Sequence, residues 1–303
     1  MLRFPCFFTF NDQIMKKVLL TDILDALSVG EKCFSTLRNI EPIFDPRGKA
    51  LFSAGRSGAV FKVMIEGKPF ALKCHTRPLH FGAERADYLG TLPPSDTIIR
   101  PTYLAEELFA GGEAIDVMLY PWVEGVSFDW TLRKALHDKN PQAIGSLLGE
   151  FLRLVAEIES GEWRHGDLKT ENIIIRRSRG LTLVDCDALY APTLHFGGEC
   201  GTPNWVHPAR QDAFDSHIDD YAVALIVVSL AVLTISPKIH TSESMVAMPS
   251  LGNREEIASL LAFSPHLTQL HEALYASDYK IEELNTLLQC IAHQLPELTK
   301  PLL

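Results

Sequence analysis

Between Tyr221 and Ile235 the chain reads YAVALIVVSLAVLTI, fifteen consecutive residues without a charge. A helix apolar on every side stays dry only inside a large core or across a bilayer. Spanning a bilayer takes roughly 18 to 20 residues, more than this run supplies. The reading is therefore a buried core helix, with no membrane span. Such a helix needs neighbours all round, so much of the chain must build a helical body about it. The 303 residues, 47% apolar and 22% charged, suffice for one large domain or two modest ones with a proper core.

The rest of the chain divides by texture. Residues 1–44 read as an N-terminal extension, partly helical, because Ile14 to Leu27 (IMKKVLLTDILDAL) sets apolar residues at helical spacing. Pro5 and Asn11-Asp12-Gln13 break the apolar start, so no secretion signal is read. From Ala50 to Cys74, short runs of Val, Phe and Ile between Gly and Lys read as three strands, with a tight turn at Glu66-Gly67-Lys68. Glu84 to Leu92 reads as a helix, and Ile98 to Leu104 and Ala114 to Tyr120 as two more strands. The sum is a five-strand sheet with one helix, residues 45–123 including the connector Pro121-Trp122-Val123. Residues 124–303 are mainly helical: Ile144, Leu147, Leu148, Phe151, Leu152, Val155 and Ile158 form one helix face. Two short strands follow near Ile173 to Arg176 and Leu181 to Val184. The fold class is α+β.

Net charge of −10 and a pI near 5.6 exclude a nucleic-acid partner held by a general basic surface, although a local basic site stays open. The six cysteines are scattered without metal-ligand or disulfide spacing, which points to a reducing, cytoplasmic setting.

Three segments carry chemistry. In Ser53-Ala-Gly55-Arg-Ser-Gly58-Ala-Val60, glycines between strands can bring backbone N–H groups against phosphate oxygens, or can simply make a turn. Phe70-Ala71-Leu72-Lys73 is an apolar strand ending in a lysine, a costly charge there unless phosphates and a carboxylate meet it, Glu84 being the nearest candidate; a lysine reaching solvent is the alternative. His165-Gly166-Asp167-Leu168-Lys169-Thr170-Glu171-Asn172, with Asp185 farther on, supplies what phosphoryl transfer needs. Asp167 can orient a hydroxyl and accept its proton, and Asn172 and Asp185 can hold Mg²⁺ on phosphates.

Taken together and in order, these motifs resemble the eukaryotic-like protein kinase superfamily from about Ala50 to Ile235. The glycine segment resembles G-x-G-x-x-G-x-V with Ser53 for the first glycine; Phe70 to Lys73 resembles V-A-I-K, and Glu84 its helix partner. Val117 to Gly125 looks like the hinge, and His165 to Asn172 is similar to H-R-D-L-K-x-x-N. Asp185-Cys186-Asp187 stands for D-F-G, and Asp219 for the aspartate that opens the central helix. His207-Pro208-Ala209-Arg210 gives the sequence a flavour similar to putative bacterial Ser/Thr kinases of the Bacteroidetes type.

The resemblance implies a bilobal protein-kinase-like fold, with a small β-rich N-lobe and a larger α-helical C-lobe. It implies ATP held by Ser53, Gly55, Gly58, Val60, Ala71, Lys73, Tyr120, Pro121, Trp122 and Val123, and Mg²⁺ or Mn²⁺ held by Asn172 and Asp185. Asp187 either adds a metal carboxylate or stabilises a turn. Asp167, Lys169, Lys73 and Glu84 are the implied catalytic residues, and a protein of unknown identity the substrate. Gly166 in place of arginine implies activity without phosphorylation of the activation segment. Two other readings remain. Aminoglycoside or choline kinases share H-G-D-x-x-x-x-N, against which Lys169 and Gly201-Thr202-Pro203 speak. A nucleotide-binding pseudokinase is the third, resting on Ser53, the D-x-D change and the missing A-P-E glutamate.

Overall fold

The computed structural model describes residues 18–298 apart from 46, 49, 56, 57, 78, 179, 199 and 240–252, and it divides into two compact units. The first holds the described residues up to Pro94 with Ile99–Val123; the second holds Ser95–Ile98 and the described residues from Glu124 onward.

The first unit is a curled antiparallel sheet. Its strands are β1 (Ile40–Pro42), β2 (Phe52–Ala54), β3 (Gly58–Ile65), β4 (Lys68–His75), β5 (Thr102–Ala110) and β6 (Glu113–Pro121). They lie in the order β1-β3-β4-β6-β5, with β2 also pairing with β3. Among the described residues two α-helices accompany it, α1 (Leu20–Val29) and α2 (Gly82–Thr91). Alternation gives the sheet two faces. Phe61, Val63, Leu72, Cys74, Val117 and Leu119 lie on one face and join Ile23, Ala26 and Leu27 of α1 in a single buried cluster. The described part of residues 1–44 thus supplies the cover of this face and, through Ile40 opposite Ile65, an edge strand. The part of the expected helix before Val18 lies outside the described residues.

Two expectations change here. The sheet has six strands rather than five, because Ile40–Pro42 pairs with β3 although three residues carry no readable period. The strand expected at Ile98 to Leu104 runs instead from Thr102 to Ala110. Ile98 and Ile99 are buried apolar side chains ahead of Pro101, so their hydrophobicity resembled a strand start. Within β5 the register shifts between Leu104 and Leu108, and Glu106 takes a φ of +47°. That bulge turns Glu107 inward. Its carboxylate accepts from Thr36 N at 2.9 Å, Thr36 Oγ1 at 2.6 Å and Leu37 N at 2.7 Å, tying the N-terminal segment to the sheet.

The second unit is mainly helical. A small antiparallel sheet, β7 (Gly125–Ser127), β8 (Ile173–Arg176) and β9 (Leu181–Leu183), precedes and interrupts its helices. These are α3 (Phe128–His137), α4 (Pro141–Glu159), α5 (Asp220–Ile235), α6 (Arg254–Leu261), α7 (Pro265–Ala273) and α8 (Leu284–Leu298). Asn140 caps α4 by accepting from Ala143 N at 3.0 Å, with Pro141 at the first helical position where no N–H is missed. The uncharged run forms α5, and every residue from Asp220 to Thr234 is buried. Helices α4, α6, α7 and α8 all pack on it, which is why no polar face is needed. Among the described residues no helix is long and apolar enough to cross a membrane.

Candidate active site

The first unit gathers five of its predicted residues on the sheet face opposite α1. Ser53 pairs with Val60, Val60 with Lys73, Lys73 with Met118, and Ala71 with Tyr120. Cross-strand partners share a face and residues two apart on a strand return to it, so Ser53, Val60, Ala71, Lys73 and Tyr120 form one patch. Lys73 is buried, 4% exposed, at the centre of that patch. Tyr103, opposite Met118, belongs to the same face, and its ring lies against Gly82 of α2. Helix α2, with half-buried Glu84 in its first turn, therefore stands on the Lys73 side of the sheet.

The two glycines differ in their reasons. A Cβ on Gly58 would come within 2.2 Å of the Cys74 carbonyl oxygen, so the sheet itself requires glycine there. Gly55 is exposed and has no comparable crowding, its nearest neighbour being the Gly58 oxygen at 3.9 Å. Arg56 and Ser57 between them lie outside the described residues. Pro121 ends β6 and is exposed; Trp122 donates its N–H to Pro69 O at 3.2 Å, and Lys62 sits 4.2 Å over its ring. Val123 is half-buried at the last position of the unit.

The second unit brings its predicted residues together around the loop from His165 to Asn172. Asp219, the residue before α5, does not cap that helix. Its carboxylate turns to the loop instead, accepting from His165 N at 2.5 Å and Gly166 N at 2.9 Å. His165 is fully buried and joins two segments: Nε2 lies 2.9 Å from the Val184 carbonyl, and Nδ1 accepts from Asp167 N at 3.3 Å. With Nδ1 accepting, Nε2 is the nitrogen that donates to the Val184 carbonyl. Gly166 has a φ of +81°, and a Cβ there would approach the Ala188 carbonyl oxygen to 2.0 Å, so only glycine fits.

Asp167 is thereby aimed. Its Oδ2 pairs with Lys169 Nζ at 2.8 Å and lies 3.3 Å from Asn172 Nδ2, while its Oδ1 is buried with no hydrogen-bond partner. Lys169 Nζ also donates to Thr202 Oγ1 at 2.6 Å, bringing the Gly201-Thr202-Pro203 segment to the carboxylate. Asn172 Nδ2 donates to Asp167 O at 2.9 Å, and Asn172 O accepts from Val184 N at 3.0 Å. Asp185 follows directly, half-buried, with a φ of +66°. Cys186, Asp187, Ala188 and Leu189 are all buried behind it, so Asp187 sits in a packed turn closed by Leu189 N to Cys186 O.

The chemistry of this loop is that of hard oxygen donors beside a poised carboxylate. Among the described residues no group of three or more His, Cys, Asp or Glu could hold a metal by itself. Asn172 uses its amide nitrogen on Asp167, which leaves the amide oxygen as the group to offer a cation, while its backbone carbonyl accepts from Val184 N next to Asp185. One carboxylate and one amide oxygen suit Mg²⁺, which keeps waters and shares substrate phosphates, and do not suit a zinc cage.

Sequence reasoning missed the contact made by Arg210. Its Nη1 donates to Gly166 O at 3.1 Å across 44 residues of chain, a pairing that no local pattern announces. No protein-family model matches the chain, and no curated protein matches it.

Proposed function

We propose that the chain transfers the γ-phosphoryl group of ATP to Ser or Thr hydroxyls of protein substrates, as a protein kinase of two lobes. The observation that carries the reading is the Asp167 carboxylate. One oxygen is held by Lys169 and Asn172 while the other is buried and unbonded, an arrangement unfavourable to keep unless a ligand hydroxyl completes it. In this reading Asp167 orients the hydroxyl and takes its proton, and Lys169 offsets charge on the moving group.

On the first unit's sheet, Lys73 would meet the phosphates, with Glu84 as its carboxylate. Ser53, Gly55, Gly58, Val60 and Ala71 would line the nucleotide, and Tyr120 to Val123 would meet the adenine. The gathering of Ser53, Val60, Ala71, Lys73 and Tyr120 on one sheet face supports this. Asn172 and Asp185, with Asp187 nearby, would hold Mg²⁺ or Mn²⁺, which when bound neutralises phosphate charge. The five described cysteines are free thiols, as suits a reducing cytoplasm.

The deciding experiment incubates the full chain with γ-labelled ATP and Mg²⁺, generic protein acceptors and candidate small metabolites, beside Asp167→Ala. Label on protein that vanishes in the variant is the expected result. Label on a metabolite alone would instead favour a small-molecule kinase, and nucleotide binding without transfer a pseudokinase.

A further inference from the structure

Arg210 is 3% exposed, and its Nη1 donates to Gly166 O at 3.1 Å and to Ile218 O at 3.2 Å. The Gly166 carbonyl and the Asp167 N–H belong to one rigid peptide plane. That plane is held at both ends: Arg210 takes the oxygen, and His165 Nδ1 accepts from the Asp167 nitrogen. The preceding plane is held too, since Gly166 N donates to Asp219 Oδ1. A glycine at +81° has no side chain to resist rotation, so these long-range bonds do the work a side chain would do elsewhere.

The arginine is an expensive way to bond a carbonyl. Its Nε is buried without a partner. Burial pulls the guanidinium pKa down, and the negative charges of Asp219 and Asp167 act in the opposite sense. A buried ion of this kind is weak evidence of a gain in stability, and an apolar residue of similar size often serves stability as well. Its distinctive contribution is direction.

We propose that Arg210 is a positioning residue for the reaction: by holding the peptide plane between Gly166 and Asp167 it sets the direction in which the Asp167 carboxylate points. The chemical consequence rests on the phosphoryl-transfer reading above; the geometric one does not. Arg210 touches backbone and not the reacting atoms, so its loss should lower turnover and leave nucleotide binding nearly intact.

The test compares wild type, Arg210→Met and Arg210→Lys by kinetics and by amide hydrogen exchange. Arg210→Met should lower kcat about thirty-fold or more with KM for ATP within about threefold. Arg210→Lys, which keeps one charged donor for Gly166 O, should recover at least about a fifth of the wild-type kcat. In exchange, peptides covering residues 164–169 should open about tenfold faster in Arg210→Met while those of α4 and α5 stay as in wild type. Unchanged exchange at 164–169, or equal loosening of α4 and α5, overturns the proposal. A wild type that transfers no label overturns the phosphoryl-transfer reading instead, and the exchange result still decides Arg210.

Discussion

Gly166 shows how one residue can carry two meanings. In the sequence it stands where the resembled family has arginine, and its lesson was the loss of a phosphate partner. In the structure it is required by a φ of +81° and by the Ala188 carbonyl oxygen, 2.0 Å from where a Cβ would sit. Gly166→Ala should therefore destabilise the protein by about 3 kcal/mol or more, read as a lowered urea midpoint, and should abolish transfer. A variant as stable as wild type would show that the loop is not clamped. Lys73 was legible from its place at the end of an apolar strand, and its burial agrees with a charge that needs partners. Lys73→Ala should reduce label transfer about a hundred-fold; near-normal transfer would remove the lysine from the site.

At the level of elements, strong patterns survived and weak ones did not. The heptad-like face of α4 and the uncharged run of α5 were readable because burial leaves a periodic or unbroken apolar record over many residues. Strand β1 is three residues long, and β5 starts after Pro101 and carries a bulge, so neither left a clean alternation. The bulge matters energetically because it delivers Glu107 to the backbone of Thr36 and Leu37. Glu107→Leu removes the acceptor and strands those donors, at an expected loss of about 2 to 3 kcal/mol in urea denaturation. A loss below about 0.5 kcal/mol would mean water replaces the carboxylate without penalty.

For the molecule as a whole, a pH response follows from buried charge. Asp220 is 3% exposed, accepts from Ile281 N at 2.9 Å and lies 2.9 Å from His217 Nδ1. Burial raises its pKa to about 6, against the lowering effect of the Ile281 N–H and His217 and with the nearby charge of Glu159 adding to the rise. The unfolded carboxyl titrates near about 4, so between the two values the native state binds more protons. Its contribution to stability is thus full below about pH 4 and is lost as pH rises through the folded pKa, by at most about 3 kcal/mol. Asp220→Asn should flatten the urea midpoint across that window; an unaltered slope would assign the pH dependence elsewhere. On regulation, phosphatase-treated protein should transfer label within about twofold of untreated protein, whereas a drop of about tenfold would show that a phosphate organises the site after all. The sequence by itself determined the helical body around Tyr221 to Ile235, the α+β class and the candidate residues, because these are written in local periodicity, composition and short spacing. Only the tertiary structure decided that residues 18–44 cover the sheet face opposite Lys73, that Asp219 bonds the His165 loop rather than its own helix, and that Arg210 holds Gly166. The Arg210 and Asp219 bonds reach Gly166 across 44 and 53 residues and rest on backbone groups common to every residue, and the sheet cover joins segments distant in the chain, none of which leaves a mark in a linear pattern.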